Sequence, residues 1–110
     1  MKILSVHEIP YEITMFATNE GFPLGTIGTR MLIENGEVFT DIGWLMSSKT
    51  SPAGTGKEIL LWVEQNCNRK TKKLVIGTHP ENEPMKKLAI ECGFKETREG
   101  RFEKRVHFPK

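Results

Sequence analysis

Hydrophobic and polar residues alternate along the first half of the chain as they do in β-strands. The residues at 12–18 are rich in β-branched and aromatic side chains, and Asn19-Glu20-Gly21 follows as a turn. Two further strand-like runs cover residues 24–34 and 37–46. Asn35-Gly36 separates them, and this dipeptide favours a two-residue hairpin because both central positions of the turn need positive φ. The pattern predicts a three-stranded antiparallel meander.

The second half of the chain changes to helical periodicity. Apolar residues recur at helical spacing in two segments, Ile59, Leu60, Val63 and Cys67, and then Met85, Leu88, Ala89 and Cys92. Basic residues within 68–72 indicate where the first helix ends. Residues 74–76 form a short apolar strand between the helices, and residues 94–97 and 101–108 form a final hairpin. We therefore predict an α/β (α+β) fold, with a mixed, mostly antiparallel sheet, one parallel strand pair and two main helices.

Composition limits the classes of function. The 110 residues suffice for a single domain, residues 1–110, with one modest core. Hydrophobic residues make up 37% and charged residues 27%, which argues against a disordered or membrane-embedded chain. A net charge of +2 does not demand a nucleic-acid partner. Cys67 and Cys92 have no metal-binding spacing, so we expect a reduced, cytoplasmic protein.

The segment between the third strand and the first helix is the strongest candidate for a binding site: Ser51, Pro52, Ala53, Gly54, Thr55 and Gly56. Glycines let backbone N–H groups approach a ligand, and a helix N-terminus adds a positive dipole, which together suit a pyrophosphate. The alternative is that the glycines only form a tight turn. A P-loop is excluded because Ser51 replaces its first glycine and Glu58 follows Lys57. A dinucleotide fingerprint is excluded because a third glycine is missing.

The order of elements and this segment resemble the GNAT family of acyl-CoA N-acyltransferases. The family's signature is Arg or Gln, two residues, Gly, one residue, then Gly or Ala, between its fourth strand and third helix. Gly54 and Gly56 match the glycines, whereas Ser51 replaces the Arg or Gln. The resemblance implies that backbone N–H groups of this loop hold the pyrophosphate of acetyl-CoA, the co-substrate.

A second pattern of the same family falls at the expected distance. Asn82, Met85, Leu88 and Gly93-Phe94 are similar to its Asn-x-x-Ala-x-x-Leu-Tyr-x-x-x-Gly-Phe run. From the residues alone, Asn82 as a helix cap and Gly93 as the residue that ends the helix explain the pattern as well. The resemblance implies that Asn82 contributes to the cofactor site.

Two departures from the family affect the expected activity. The strand and two helices that precede the meander in the family are missing, so the chain resembles a short form whose acceptor side is open or completed by a second subunit. Ala89 stands where many members carry a tyrosine that protonates the leaving thiolate, and Tyr11 is the only tyrosine in the chain. The protein is therefore expected to be either an acetyltransferase or a degenerate CoA-binding module.

The resemblance places the pantetheine arm along Trp44, Leu45 and Met46, paired with the backbone like an added strand. An N–H group near Leu45 or Met46 would then point at the thioester oxygen. Gly43 is interpreted either as a bulge that bends this strand or as a glycine required by close packing.

Acyl transfer to an amine needs a base, for which Asp41 and His79 are the candidates. The alternatives are that Asp41 is an ordinary exposed strand residue and that His79 is a solvated loop residue. His7 and His107 are expected at the surface. Cys92 lies on the apolar stripe of its helix and is expected to be an inert, buried thiol. The scattered histidines and carboxylates predict no metal site.

Three functions remain open: amine acetylation, CoA binding without turnover, and nucleic-acid binding by a small α+β domain. The third rests on basic residues that are mixed with glutamates, Arg69, Lys70, Lys72, Lys73, Arg101, Lys104 and Arg105. A nucleic-acid partner is therefore not expected, and no apolar run is long enough to predict a membrane partner. A homodimer is compatible with the small core and with the wide apolar stripe that Trp62 gives the first helix. The sequence does not identify the acceptor amine.

Overall fold

A computed structural model describes residues 9–108 of the chain. Its elements run in the order β1 (Glu12–Ala17), β2 (Pro23–Glu34), β3 (Glu37–Ser47), α1 (Thr55–Asn66), β4 (Lys73–Gly77), α2 (Glu83–Glu91), β5 (Lys95–Arg98) and β6 (Arg101–Arg105). These are the predicted elements in the predicted order, so the mixed sheet with two main helices is confirmed.

The six strands form one sheet in the order β1-β2-β3-β4-β6-β5. Every neighbouring pair is antiparallel except β3 and β4, which form the predicted parallel pair. That pair extends only from Phe39 opposite Lys73 to Ile42 opposite Ile76. The last residues of β3 therefore have no pairing partner on β4.

The turn between β2 and β3 has the geometry that its sequence predicts. Asn35 has φ 52° and Gly36 has φ 77°, and Glu34 pairs with Glu37 across the turn. Positive φ at both central positions matches the right-handed twist of the two strands.

A bulge interrupts the pairing of β2 with β3. Gly28 lies opposite Trp44 and Thr29 lies opposite Ile42, so Gly43 is the extra residue, as predicted. A side chain at Gly43 would also overlap the ring of Tyr11. Both interpretations of Gly43, a bulge and a close-packed glycine, are therefore correct.

Both helices contribute to the same buried cluster on one face of the sheet. The cluster consists of Ile27, Ile42, Ile59, Leu60, Val63, Leu74, Ile76, Ala89, Cys92, Phe94, Phe102 and Val106. Strand residues that alternate with these, such as Arg30, Asp41 and Glu103, point to the opposite face. We call this the open face, because no helix within residues 9–108 covers it.

The end of α1 differs from the sequence-based expectation. The helix ends at Asn66, its last turn contains no basic residue, and Cys67 is extended with ψ 162°. Arg69 and Lys70 follow in the turn beyond the helix. The prediction that basic residues end this helix is wrong, because the extended backbone at Cys67 stops it first.

Trp62 widens the apolar stripe of α1 because it packs edge-on against Phe16 of β1, with ring centroids 5.2 Å apart. Within residues 9–108, neither helix is long and apolar enough to cross a bilayer.

Candidate functional site

A cleft of 140 Å³ opens where β3 and β4 diverge. It is lined by Ile42, Gly43, Trp44, Leu45, Ile76, Gly77, Thr78, Asn82 and Met85. Three residues predicted to bind the cofactor, Trp44, Leu45 and Asn82, are therefore together at this cleft. Met46, which is also predicted to bind the cofactor, follows Leu45 in β3 but is exposed and does not line the cleft.

The β3 edge of this cleft has no strand partner. After Ile42, no strand within residues 9–108 pairs with β3 on the β4 side. Backbone N–H and C=O groups on such an edge can pair with an added extended chain. The cleft thus combines an unpaired strand edge with an apolar lining.

The first turn of α1 lies beside this cleft. A Cβ on Gly56 would be 3.1 Å from Leu88 Cδ2 and 3.6 Å from Leu45 Cδ2, so Gly56 allows the helix to pack closely there. Gly54 has φ 90°, and a Cβ added to it would meet no atom within 4 Å. The two glycines therefore have different roles: Gly54 supplies a left-handed backbone, and Gly56 supplies space.

The start of α1 leaves backbone donors free within the described part of the chain. The N–H of Thr55 donates to Pro52 O at 3.2 Å, and the N–H of Glu58 donates to Gly54 O at 3.0 Å. The N–H groups of Gly56 and Lys57 belong to the first helical turn, where an α-helix supplies no acceptor. This arrangement suits an anion.

Ser51 stabilises the loop rather than reaching outward. Its Oγ donates to Ser48 O at 2.6 Å, and its N–H donates to the same oxygen at 3.1 Å. Pro52 and Ala53 are exposed beside it. Any anion at this loop would consequently contact backbone groups, since the Ser51 hydroxyl proton is already used.

Asn82 is the N-cap of α2, as the alternative interpretation predicts. Its Oδ1 accepts a hydrogen bond from the Met85 N–H at 3.3 Å. At the other end of α2, Gly93 has φ 90° and ends the helix. Because Asn82 also lines the cleft, capping and a contribution to the cleft wall are compatible.

Asp41 lies in a group of four side chains on the open face. Its Oδ2 accepts hydrogen bonds from Tyr11 Oη and Arg30 Nε, both at 3.0 Å. The Arg30 guanidinium lies 4.3 Å from the centre of the Tyr11 ring, which also packs edge-on against Trp44 at 5.3 Å. The Asp41 side chain is only 16% exposed, so it is not an ordinary exposed strand residue.

Tyr11 is a member of this group that the sequence pattern does not indicate. Burial raises the pKa of Tyr11, and the charge and hydrogen bond of Asp41 raise it further, while the charge of Arg30 opposes them. The phenol therefore stays protonated at neutral pH and donates to Asp41. A separation of 30 residues from Asp41 left no local pattern that could reveal this contact.

His79 lies in the exposed β4–α2 loop, and its Nδ1 accepts a hydrogen bond from the Glu81 N–H at 3.1 Å. It does not line the cleft, although Thr78 does. The structure therefore does not bring Asp41 and His79 together through any contact. His107 is exposed as expected, and His7 lies outside the described residues.

The two thiols are free, and burial raises the pKa of both Cys67 and Cys92. Cys92 is buried in the core, in agreement with an inert thiol. Residues 9–108 contain no group of three or more His, Cys, Asp or Glu side chains that could hold a metal ion.

Ion pairs occupy most of the basic residues that favoured a nucleic-acid surface. Four of the seven are bound to glutamates: Lys73, Arg101, Lys104 and Arg105. Within the described residues, the other three form no ion pair: Arg69, Lys70 and Lys72. This reduces the positive surface that phosphates could contact.

A larger hollow, of 600 Å³, lies near the other end of α1. Its lining includes Glu12, Met31, Trp62 and Asn66. Its helical lining, Trp62 to Asn66, begins more than a helical turn beyond the first-turn N–H groups, about 8–15 Å along the helix axis, so those N–H groups do not line this hollow. The smaller cleft is the better candidate because it combines the open strand edge with those donors.

The comparison with solved structures identifies the architecture. An acetyltransferase of the GNAT family from Staphylococcus aureus Mu50 matches with a TM-score of 0.73 and 17% identity, over 88% of this chain and 68% of that chain. One from Listeria monocytogenes 4b F2365 matches with a TM-score of 0.69 and 15% identity, over 86% and 64%. The fold is the GNAT acetyltransferase fold.

A third GNAT-fold match is to the NatC complex, in a structure with bound Gag peptide and CoA. Its TM-score is 0.64 and its identity 21%, over 80% of this chain and 63% of that chain. The chain thus spans 63% to 68% of the length of these three chains. Neither a protein-family model nor a curated protein sequence matches it.

Proposed function

We propose that this GNAT-fold chain binds acetyl-CoA and transfers its acetyl group to an amine. The observation that carries the proposal is the cleft at which an unpaired β3 edge adjoins the free N–H groups of the first turn of α1. An extended amide-containing arm and a pyrophosphate are the two chemical groups that such a site fits. The NatC structure, which contains CoA, supports the same assignment.

In this proposal each part of the site has a separate task. The β3 backbone at Trp44, Leu45 and Met46 pairs with the pantetheine arm, and an N–H near Leu45 or Met46 polarises the thioester carbonyl. The loop with Gly54 and Gly56 holds the pyrophosphate through backbone N–H groups. The other residues proposed for the cofactor site form its surroundings: Ser51, Pro52, Ala53 and Thr55 belong to the same loop, and Asn82 lines the cleft.

The chemical step is direct attack of the amine on the thioester carbonyl. A C–N bond forms, the C–S bond breaks, and the nitrogen loses a proton to a base. We propose Asp41 for this role because it lies two residues before the bulge on the open face, with His79 as the second candidate. The departing thiolate takes its proton from water, since Ala89 carries no acid.

CoA binding without turnover is the second candidate function. It is favoured by Ala89, which is fully buried in the core and presents no proton donor. The same cleft would bind CoA in this case, so only a turnover assay separates the two functions.

For the location of the protein in the cell we propose the cytoplasm, which the free, buried thiol of Cys92 suits.

The first experiment is a thermal-shift titration with acetyl-CoA and with free CoA. A ligand at about 100 times its Kd stabilises by about 2.7 kcal/mol, so we expect the midpoint to rise by about 10 °C. Gly54→Val should abolish the shift. Gly21→Val is the matched control, because Gly21 also has positive φ, at 89°, and open space around it but lies in the β1–β2 turn. No shift in the wild-type protein would overturn the proposed cofactor.

Turnover is then measured as release of free thiol from acetyl-CoA in the presence of a panel of amines: a peptide with a free N-terminus, a lysine peptide, a polyamine and an amino sugar. Release that depends on one amine, and that falls strongly in Asp41→Asn, supports transfer. A ligand shift without release from any amine supports the binding module. Salt-sensitive binding of an oligonucleotide, without a CoA shift, would favour a nucleic-acid function instead.

A further inference from the structure

The two outer strands of the sheet differ in how they resist pairing with another chain. β5 (Lys95–Arg98) is four residues long, three of them charged, and its pairing with β6 is irregular. Short length, charge and irregularity are the usual protections of an exposed strand edge. β5 is therefore unsuited to accept a further strand.

β1 (Glu12–Ala17) has none of these protections at its centre. It is six residues long, Glu12 at its end is its only charged residue, and it pairs regularly with β2 from Glu12 to Phe16. Ile13 is 61% exposed and Met15 is 76% exposed, both on the open face. Within residues 9–108, no strand pairs with the outer edge of β1.

The sequence of β1 is compatible with pairing to a copy of itself. In an antiparallel pair related by a two-fold axis, a residue faces a partner on the same face of the sheet. With the axis at Thr14, Ile13 lies opposite the second copy's Met15, and Glu12 lies opposite Phe16. With the axis at Met15, Glu12 lies opposite Thr18. Neither register brings two like charges together, and both place exposed apolar side chains of the two copies next to each other on the open face.

We propose that β1 pairs antiparallel with β1 of a second copy, which joins the two six-stranded sheets into one of twelve strands. We assign this edge to a second copy rather than to an unrelated partner because, in both registers, two β1 strands pair without opposing like charges and with apolar side chains next to each other. Six residues span about 20 Å, so the area buried is below the roughly 800 Å² per partner of a standard interface. The dimer is consequently weak and forms at micromolar concentration or above.

The test is sedimentation velocity of the wild-type protein from about 1 to about 500 µM. We expect the mass to rise from the 12.5 kDa monomer towards twice that value. Ile13→Lys with Met15→Lys places lysines opposite each other in either register, so this double variant stays monomeric. The matched control is Ile33→Lys with Ile90→Lys, which changes two equally exposed residues, 74% and 61%, outside β1 and keeps the dimer.

A mixture of oppositely charged variants tests whether β1 pairs with β1. Ile13→Glu with Met15→Glu is also expected to be monomeric, but an equimolar mixture with the lysine variant should form heterodimers. Amide hydrogen exchange in residues 12–17 should slow with wild-type concentration while exchange in β5 does not change. A wild-type protein that stays monomeric throughout, or a mixture without heterodimers, overturns the proposal.

Discussion

Tyr11 connects three features of the open face: it donates a hydrogen bond to Asp41, packs beneath the Arg30 guanidinium, and fills the space left by Gly43. Its ring therefore depends on the absence of a side chain at the bulge. The same contact holds the Asp41 carboxylate in one place. A side chain at Gly43 should therefore lower the stability of the protein by displacing the Tyr11 ring, in addition to any effect on the strand backbone.

Gly43→Ala is therefore expected to destabilise the protein by about 1–3 kcal/mol, because the new methyl group displaces the Tyr11 ring. In a Tyr11→Ala background the same change should cost much less, which a double-mutant cycle in urea measures. Gly77→Ala is the control, since Gly77 has ordinary φ and open space and should be close to neutral. Equal costs in both backgrounds would contradict the contact.

The bulge could be predicted from the sequence, whereas its partner could not. A glycine inside an apolar strand limits the local possibilities to a bulge or a close neighbour. Tyr11, by contrast, reaches its position through the pairing of β1 with β2 and β2 with β3, so its contact with Asp41 depends on register. The cap at Asn82 was predictable because the bond to Met85 spans three residues.

At the scale of elements, ion pairs on the open face connect strands that are distant in sequence. Glu34 of β2 binds Lys73 of β4 and Arg101 of β6, and Glu103 of β6 binds both of these cations. These pairs cross β3, where both cations lie 5.8 Å from the centre of the Phe39 ring. The network therefore ties the meander to the second half of the sheet and shields Phe39.

These pairs make stability depend on pH. The hydrogen bond from Lys73 lowers the pKa of Glu34; burial opposes this effect, and Arg101 adds to it. Burial raises the pKa of Glu103, but hydrogen bonds from Lys73 and Thr97 outweigh it, so this pKa is also lowered. A carboxylate whose pKa is lower when folded stabilises the protein above its unfolded pKa of 4.5 and loses this effect as pH falls through the folded pKa.

Glu34→Gln should therefore lower the unfolding free energy at about pH 7 and make little difference at about pH 3. Urea unfolding at both pH values measures the difference. Glu20→Gln, in the β1–β2 turn, is the control, for which the described residues offer no ion pair. An effect of Glu34→Gln that does not change with pH would contradict the network.

Such long-range ion pairs could not be predicted from the sequence, because the charges alternate on β6 without indicating partners on β2.

At the scale of the whole molecule, a single buried cluster holds both helices against the sheet, and Phe102 is its largest fully buried side chain. A small domain has little stability in reserve, so each large core residue matters. The order of elements and the parallel pair were predictable, because periodicity and turn residues are local signals. The bend at Gly43 was predictable as well, but the residue at which β3 and β4 stop pairing, Ile42, depends on strand register and had no local signal.

Phe102→Ala is expected to cost about 3–5 kcal/mol, because it leaves a cavity that close-packed neighbours cannot fill. Ile90→Ala is the control: Ile90 is 61% exposed, and its truncation should change stability by about 0.5 kcal/mol or less. Chemical denaturation of both variants measures the two values. Similar costs would show that the cluster is not the main source of stability.

The short parallel pair joins two antiparallel parts of the sheet, β1–β3 and β4–β6, through four residue pairs from Phe39 to Ile42. Ion pairs connect the two parts at the end where β3 begins, whereas within residues 9–108 neither an ion pair nor strand pairing connects them where the cleft opens. At the cleft the spacing of the two parts therefore rests on side-chain packing, since Leu45 and Met85 both pack against the core cluster that also holds the two helices. One boundary in the sheet is thus held in two ways, by backbone pairing and charge at one end and by apolar packing where the candidate cleft opens.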